Sequence, residues 1–101
     1  MLKRNGYRIE IAEIENCISS FEGMSEHSIA VTEKDQSVKI VVFFVAKQKI
    51  SELQLREFCL EKIPSYMMPD FFVQVETLNM NTNFKTDLNK LLNDNDFRFA
   101  I

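Results

Sequence analysis

The run from Val38 to Ala46 limits the possible folds of this chain more than any other stretch. After Lys39 it is apolar at nearly every position and rich in Val, Ile and Phe. Such a run suits a strand covered on both faces, since a strand with one wet face alternates apolar and polar residues. Residues 26–32, ending in Ser28-Ile29-Ala30-Val31-Thr32, read as a second strand before it. The connection Glu33-Lys34-Asp35-Gln36 is polar and suits a hairpin turn, although it lacks the usual glycine.

Helical spacing appears on either side of this pair. Gly6-Tyr7-Arg8-Ile9-Glu10 reads as a short extended piece, with Gly6 supplying a flexible or positive-φ position. From Ile11 the apolar residues Ile11, Ile14, Ile18 and Phe21 recur at steps of three and four, which predicts a helix. Gly23 is expected to cap its C-terminus. Ser51 and Gln54 have the spacing of a capping box, and Leu55, Phe58, Cys59 and Ile63 form the stripe of a second helix that Pro64 stops.

Ser65-Tyr66-Met67-Met68-Pro69 is a loop bounded by prolines, and Asp70 to Val75 is a third strand. A polar loop and a short amphipathic helix near Asp87–Leu92 follow, with a frayed tail. The expected fold is α+β: a small three-stranded sheet with two main helices packed on it, plus a short C-terminal helix. Ile14, Ile18, Val42, Phe44, Phe58 and Phe72 are expected to share one core. The whole chain, 1–101, fits a single domain.

Composition removes several function classes. A content of 46% hydrophobic and 27% charged residues is that of a globular protein. No apolar run approaches the ~20 residues that span a bilayer, and no apolar region follows the first charges as in a secretory signal. These features give no membrane partner. A net charge of −3 argues against nucleic acid as a partner, because neutralising phosphates needs a basic face. Cys17 and Cys59 have apolar neighbours and no metal-ligand spacing, and read as buried thiols in a reducing compartment, the cytoplasm. His27 lacks the Cys or acidic partners of a zinc site, so no metal is expected, and it reads as a polar residue at a strand entrance.

Three segments carry a more specific pattern. Lys3, then Gly6-Tyr7-Arg8-Ile9-Glu10, then Glu13-Ile14-Glu15 make the first. Leu60-Glu61-Lys62-Ile63-Pro64-Ser65-Tyr66-Met67-Met68-Pro69 is the second, and Lys85-Thr86-Asp87 the third. In this order and spacing they resemble the signature stretches of the C-terminal subdomain of adenylate-forming enzymes. That superfamily comprises acyl-CoA synthetases, luciferases and the adenylation domains that load carrier proteins. Asn81-Thr82-Asn83-Phe84-Lys85-Thr86-Asp87 is closest in look to the subgroup that loads amino acids onto carrier proteins. Ala12 stands where the family often has glycine, Asn79 where it has proline and Phe84 where it has glycine.

The resemblance implies a mobile lid of an ATP-dependent acid–thiol ligase, expected to begin just after a hinge aspartate that would precede Met1. Lys85 would be the catalytic lysine of adenylate formation. Gly6, Tyr7 and Arg8 would form the thiolation loop that admits a phosphopantetheine arm. The implied partners are a large N-terminal adenylation domain, in cis or in trans, and a carrier protein bearing phosphopantetheine, or CoA. ATP and Mg2+ would serve the complete enzyme, with neither bound by this segment alone and the isolated chain inactive. Two alternatives stay open: the lid of an acyl-CoA synthetase, or a degenerate, non-catalytic interaction module, to which Phe84 and Asn79 point. On the residues alone, Lys85 is an ordinary solvated lysine. Glu13 and Glu15 are carboxylates opposing the positive end of a helix dipole, and Met67-Met68 is packing.

Overall fold

The computed structural model describes residues 2–4, 6–34 and 37–78. Strands β1 (Leu2–Arg4) and β2 (Tyr7–Ile9) come first, then helix α1 (Ile11–Ser19). Strands β3 (Met24–Lys34) and β4 (Ser37–Ala46), helix α2 (Glu52–Leu60), a 3-10 turn (Ser65–Met67) and strand β5 (Phe71–Gln74) complete it. The larger sheet has the order β3-β4-β5, antiparallel between β3 and β4 and parallel between β4 and β5. A parallel neighbour needs a long crossover, and α2 supplies it. The α+β architecture of two helices on a three-stranded sheet is therefore as expected. The short helix near Asp87–Leu92 lies outside the described residues.

The apolar run of β4 lies at the centre of the sheet, and both of its faces are buried. Ile40, Val42 and Phe44 point into the main core with Ile14, Ile18, Leu55, Cys59 and Phe72. Val41 and Phe43 pack on the opposite face with Ala30, and Val73, Val75 and Leu78 adjoin them. Of the six residues expected to share a core, five belong to the main cluster and Phe58 is half-buried at its rim. Phe58 meets Phe21 edge to face there, with ring centroids 5.0 Å apart.

The helix ends depart from expectation in instructive ways. Helix α1 stops at Ser19, and Gly23, with φ of +96°, belongs to the turn that enters β3. The Ser19 and Ser20 hydroxyls donate to the Asn16 and Cys17 carbonyls at 3.1 and 2.7 Å. The Ser20 amide reaches both carbonyls as well, at 3.2 Å, so amide and hydroxyls together close the helix end. Helix α2 begins with the expected capping box. Ser51 accepts from the Gln54 amide, and the Gln54 side chain accepts from the Ser51 amide. It ends at Leu60, before Pro64, where the Lys62 and Ile63 amides both turn back to the Cys59 carbonyl. His27 is not at a strand entrance, because β3 starts at Met24 and places His27 opposite Phe44.

Candidate functional site

Two of the three signature segments lie within the described residues, and they meet. The first forms a hairpin. Leu2, Lys3 and Arg4 pair with Ile9, Arg8 and Tyr7, and the sequence between the two strands is Asn-Gly. Gly6 has φ of +82°, a region that an L side chain enters only with strain, and a Cβ there would meet open space. Asn-Gly between paired strands is a strong short-range hairpin signal. Reading the segment only as an extended piece missed it.

The hairpin is anchored at one end and presented at the other. Ile9 is fully buried in the main core, whereas Tyr7 and Arg8 are exposed. Arg8 Nε lies 3.2 Å from Glu10 Oε1, an exposed ion pair of small energetic weight. Tyr7 stacks on Tyr66 with ring centroids 4.5 Å apart and planes 14° from parallel.

Tyr66 belongs to the second segment, whose geometry follows from its prolines. Pro64 has extended backbone and starts the 3-10 turn, whose Met67 and Met68 amides donate to the Pro64 and Ser65 carbonyls. Met67 is thereby driven into the main core and Tyr66 outward to the hairpin. The packing role expected of Met67 is correct. Pro69 is fully buried behind it.

A residue that sequence reasoning did not single out fastens this turn. The Arg56 guanidinium donates to the Pro69 carbonyl at 3.0 Å and to the Asp70 carbonyl at 2.6 Å. It also pairs with Glu52, 3.3 Å away, and lies 5.3 Å from the centroid of the Phe72 ring. Asp70 then enters the sheet by exchanging bonds with Ile40. Its amide donates to the Ile40 carbonyl at 2.8 Å, and its carboxylate accepts from the Ile40 amide at 2.7 Å. A planar fork spanning two carbonyls suits arginine and no other side chain.

The two thiols are buried as expected and lie together, Cys17 Sγ being 3.3 Å from Cys59 Sγ. Burial, then the contact with Cys17, pushes the Cys59 thiol up to about 12 from an ordinary value of 9.0. Among the described residues no group of three or more His, Cys, Asp or Glu could hold a metal ion. Among the same residues no helix is long and apolar enough to cross a membrane. Lys85, with Asn79 and Phe84, lies outside the described residues, so the structure does not relate it to the Tyr7–Tyr66 pair.

No family model matches the chain. Bacitracin synthase 1 of Bacillus licheniformis is 37% identical over 87 residues, covering 85% of this chain and 2% of that protein. A four-domain nonribosomal peptide synthetase, solved bound to AMP and glycine, superposes with a TM-score of 0.74 at 29% identity. That match covers 87% of this chain and 7% of the synthetase. The chain belongs to the C-terminal subdomains of the adenylate-forming superfamily. The Mycobacterium tuberculosis fatty acyl CoA synthetase shares the subdomain too, with a TM-score of 0.76, 25% identity and coverage of 93% of this chain and 19% of that one. As an adenylate-forming C-terminal subdomain the chain spans a small part of each of these proteins, and its hairpin and proline-bounded turn belong to two of the three segments the sequence resemblance rested on.

Proposed function

We propose that residues 1–101 are the lid of an ATP-dependent ligase that activates a carboxylic or amino acid as its adenylate and passes it to the phosphopantetheine thiol of a carrier protein. The reading is carried by the similarity to bacitracin synthase 1, at 37% identity over 85% of the chain. The nonribosomal synthetase solved with AMP and glycine supports the choice of nucleotide and of an amino acid. ATP, Mg2+ and the acid would be held by a larger N-terminal domain, in cis or in trans, and the isolated lid would be inactive.

In this reading Lys85 acts in the first half-reaction. As the carboxylate attacks the α-phosphorus and pyrophosphate departs, negative charge builds on the phosphate oxygens. A compact ammonium that bonds both carboxylate and phosphate holds the reactants in line and stabilises that charge. Gly6, Tyr7 and Arg8 act in the second half-reaction, after the lid rotates and brings the hairpin to the adenylate. The open space beside Gly6 supports a role in admitting the pantetheine arm, and the Tyr7–Tyr66 stack gives the hairpin a rigid back.

The test is a chimera in which this chain replaces the C-terminal subdomain of a nonribosomal adenylation domain. Recovery of ATP–pyrophosphate exchange and of thioester on the carrier supports the reading. A folded, nucleotide-binding chimera that performs neither half-reaction contradicts it and favours a docking module. A chimera that acylates free CoA in preference to the carrier identifies an acyl-CoA synthetase lid.

A further inference from the structure

The main core holds a nucleophilic pair that the proposed lid chemistry does not use. Cys17 lies on α1 and Cys59 on α2, 42 residues apart in sequence, and their sulfurs are 3.3 Å apart where the two helices pack. A disulfide places its sulfurs about 2.05 Å apart, so closing the bond asks for roughly 1.2 Å of approach, within reach of side-chain adjustment. Access to the two is unequal. Both are buried, but Cys59 is 0% exposed, whereas Cys17 is 5% exposed and borders a groove of about 430 Å³ lined also by Glu13, Asn16, Ser20 and Lys62.

We propose that Cys17 and Cys59 are a thiol–disulfide pair: a peroxide reaches Cys17 through the groove, and Cys59 closes the bond that staples α1 to α2. In the first step the Cys17 thiolate attacks one peroxide oxygen. The O–O bond breaks, the leaving hydroxide is protonated to water, and Cys17 becomes a sulfenic acid. In the second step Cys59 attacks the Cys17 sulfur and gives up its proton. The S–O bond breaks and a second water leaves. Two thiols and one peroxide thus give one disulfide and two waters. The Cys59 thiol, pushed up to about 12, stays protonated at neutral pH and is the second sulfur to react.

The staple joins the helix that follows the Gly6 hairpin to the helix that precedes the Tyr66 turn. It restricts the unfolded chain and leaves the packed helices nearly where they are, so the folded state favours it. This inference rests on the packing of α1 against α2 and is independent of the lid chemistry.

The experiment equilibrates the unmodified 101-residue chain in glutathione redox buffers, with and without urea. Thiols are trapped by alkylation and the bond is mapped by peptide mass. The Cys17–Cys59 disulfide is expected to form in the folded chain at a ratio of oxidised glutathione to squared reduced glutathione at least about tenfold lower than in the unfolded chain. An equal or higher requirement in the folded chain overturns the proposal. Hydrogen peroxide then tests the order. Cys59→Ala should accumulate a trappable sulfenic acid at Cys17, and Cys17→Ala should leave Cys59 unmodified. Equal oxidation of Cys59 in Cys17→Ala overturns the assigned order. If either variant fails to fold, Cys17 must still be the first residue that brief peroxide treatment labels in the unmodified chain.

Discussion

The ring of Tyr7 lies on the ring of Tyr66, 4.5 Å away and 14° from parallel, and this contact joins two signature segments nearly sixty residues apart in the chain. Both rings are partly exposed, so the contact holds the hairpin through the aromatic faces and not through deep burial. A stacked pair of this kind contributes about 0.5–1.5 kcal/mol beyond its buried area. A double-mutant cycle of Tyr7→Ala and Tyr66→Ala, read by urea unfolding, should give a coupling energy in that range. Strictly additive losses would mean the rings do not support each other.

Arg56 should matter more than an exposed helix position ordinarily does. Arg56→Ala leaves the Pro69 and Asp70 carbonyls without their charged donor, a loss of about 2 kcal/mol. Arg56→Lys should recover less than half of it, because one ammonium cannot span both carbonyls as the fork does. Full recovery by lysine would show that charge alone, without the fork, fixes the turn.

Much of the fold was legible because its signals are local. The apolar run of β4 announced a strand covered on both faces, and Ser51 with Gln54 announced the start of α2. The pairing of distant residues was not legible in that way. Periodicity tells which face of a helix is apolar but not which partner it meets, so the Arg56 grip on Pro69 and Asp70 and the Cys17–Cys59 contact came only with the fold. The α1 terminus was misplaced because Gly23 was read as its cap, whereas Ser20 closes the helix and Gly23, at positive φ, serves the turn into β3. For the candidate site, the order of three motifs carried the reading. The first hairpin strand, Leu2–Arg4, was missed although Asn5-Gly6 directly precedes the extended piece that was read.

Phe44 tests the central strand. It is 1% exposed within the main core, and Phe44→Ala should cost about 3–5 kcal/mol through the lost ring and the cavity left behind. Denaturant midpoints of wild type and variant, at constant slope, give the number. A loss below about 1 kcal/mol would place the ring outside a packed core.

The Cys59 thiol makes stability depend on alkaline pH. Its folded value, pushed up to about 12, lies above its ordinary 9.0, so the folded chain holds a proton that the unfolded chain releases. The resulting stabilisation is whole below about pH 9 and is lost as pH rises towards about 12. Thermal unfolding of the reduced chain between these limits should show a steeper decline in wild type than in Cys59→Ala. Parallel declines would mean that the thiol is not held neutral by its surroundings.

The division of labour between Lys85 and Gly6 is the central claim, and one paired measurement on the chimeric ligase tests it. Lys85→Ala should slow adenylate formation by about 10²-fold or more, the scale of losing one preorganised charge contact. It should leave thioester formation from supplied acyl-adenylate near wild type. Gly6→Trp should do the reverse, with Gly6→Asn as the control that tolerates a positive φ. If Lys85→Ala slows both half-reactions equally, or neither, the account of a rotating two-step lid is wrong for this protein.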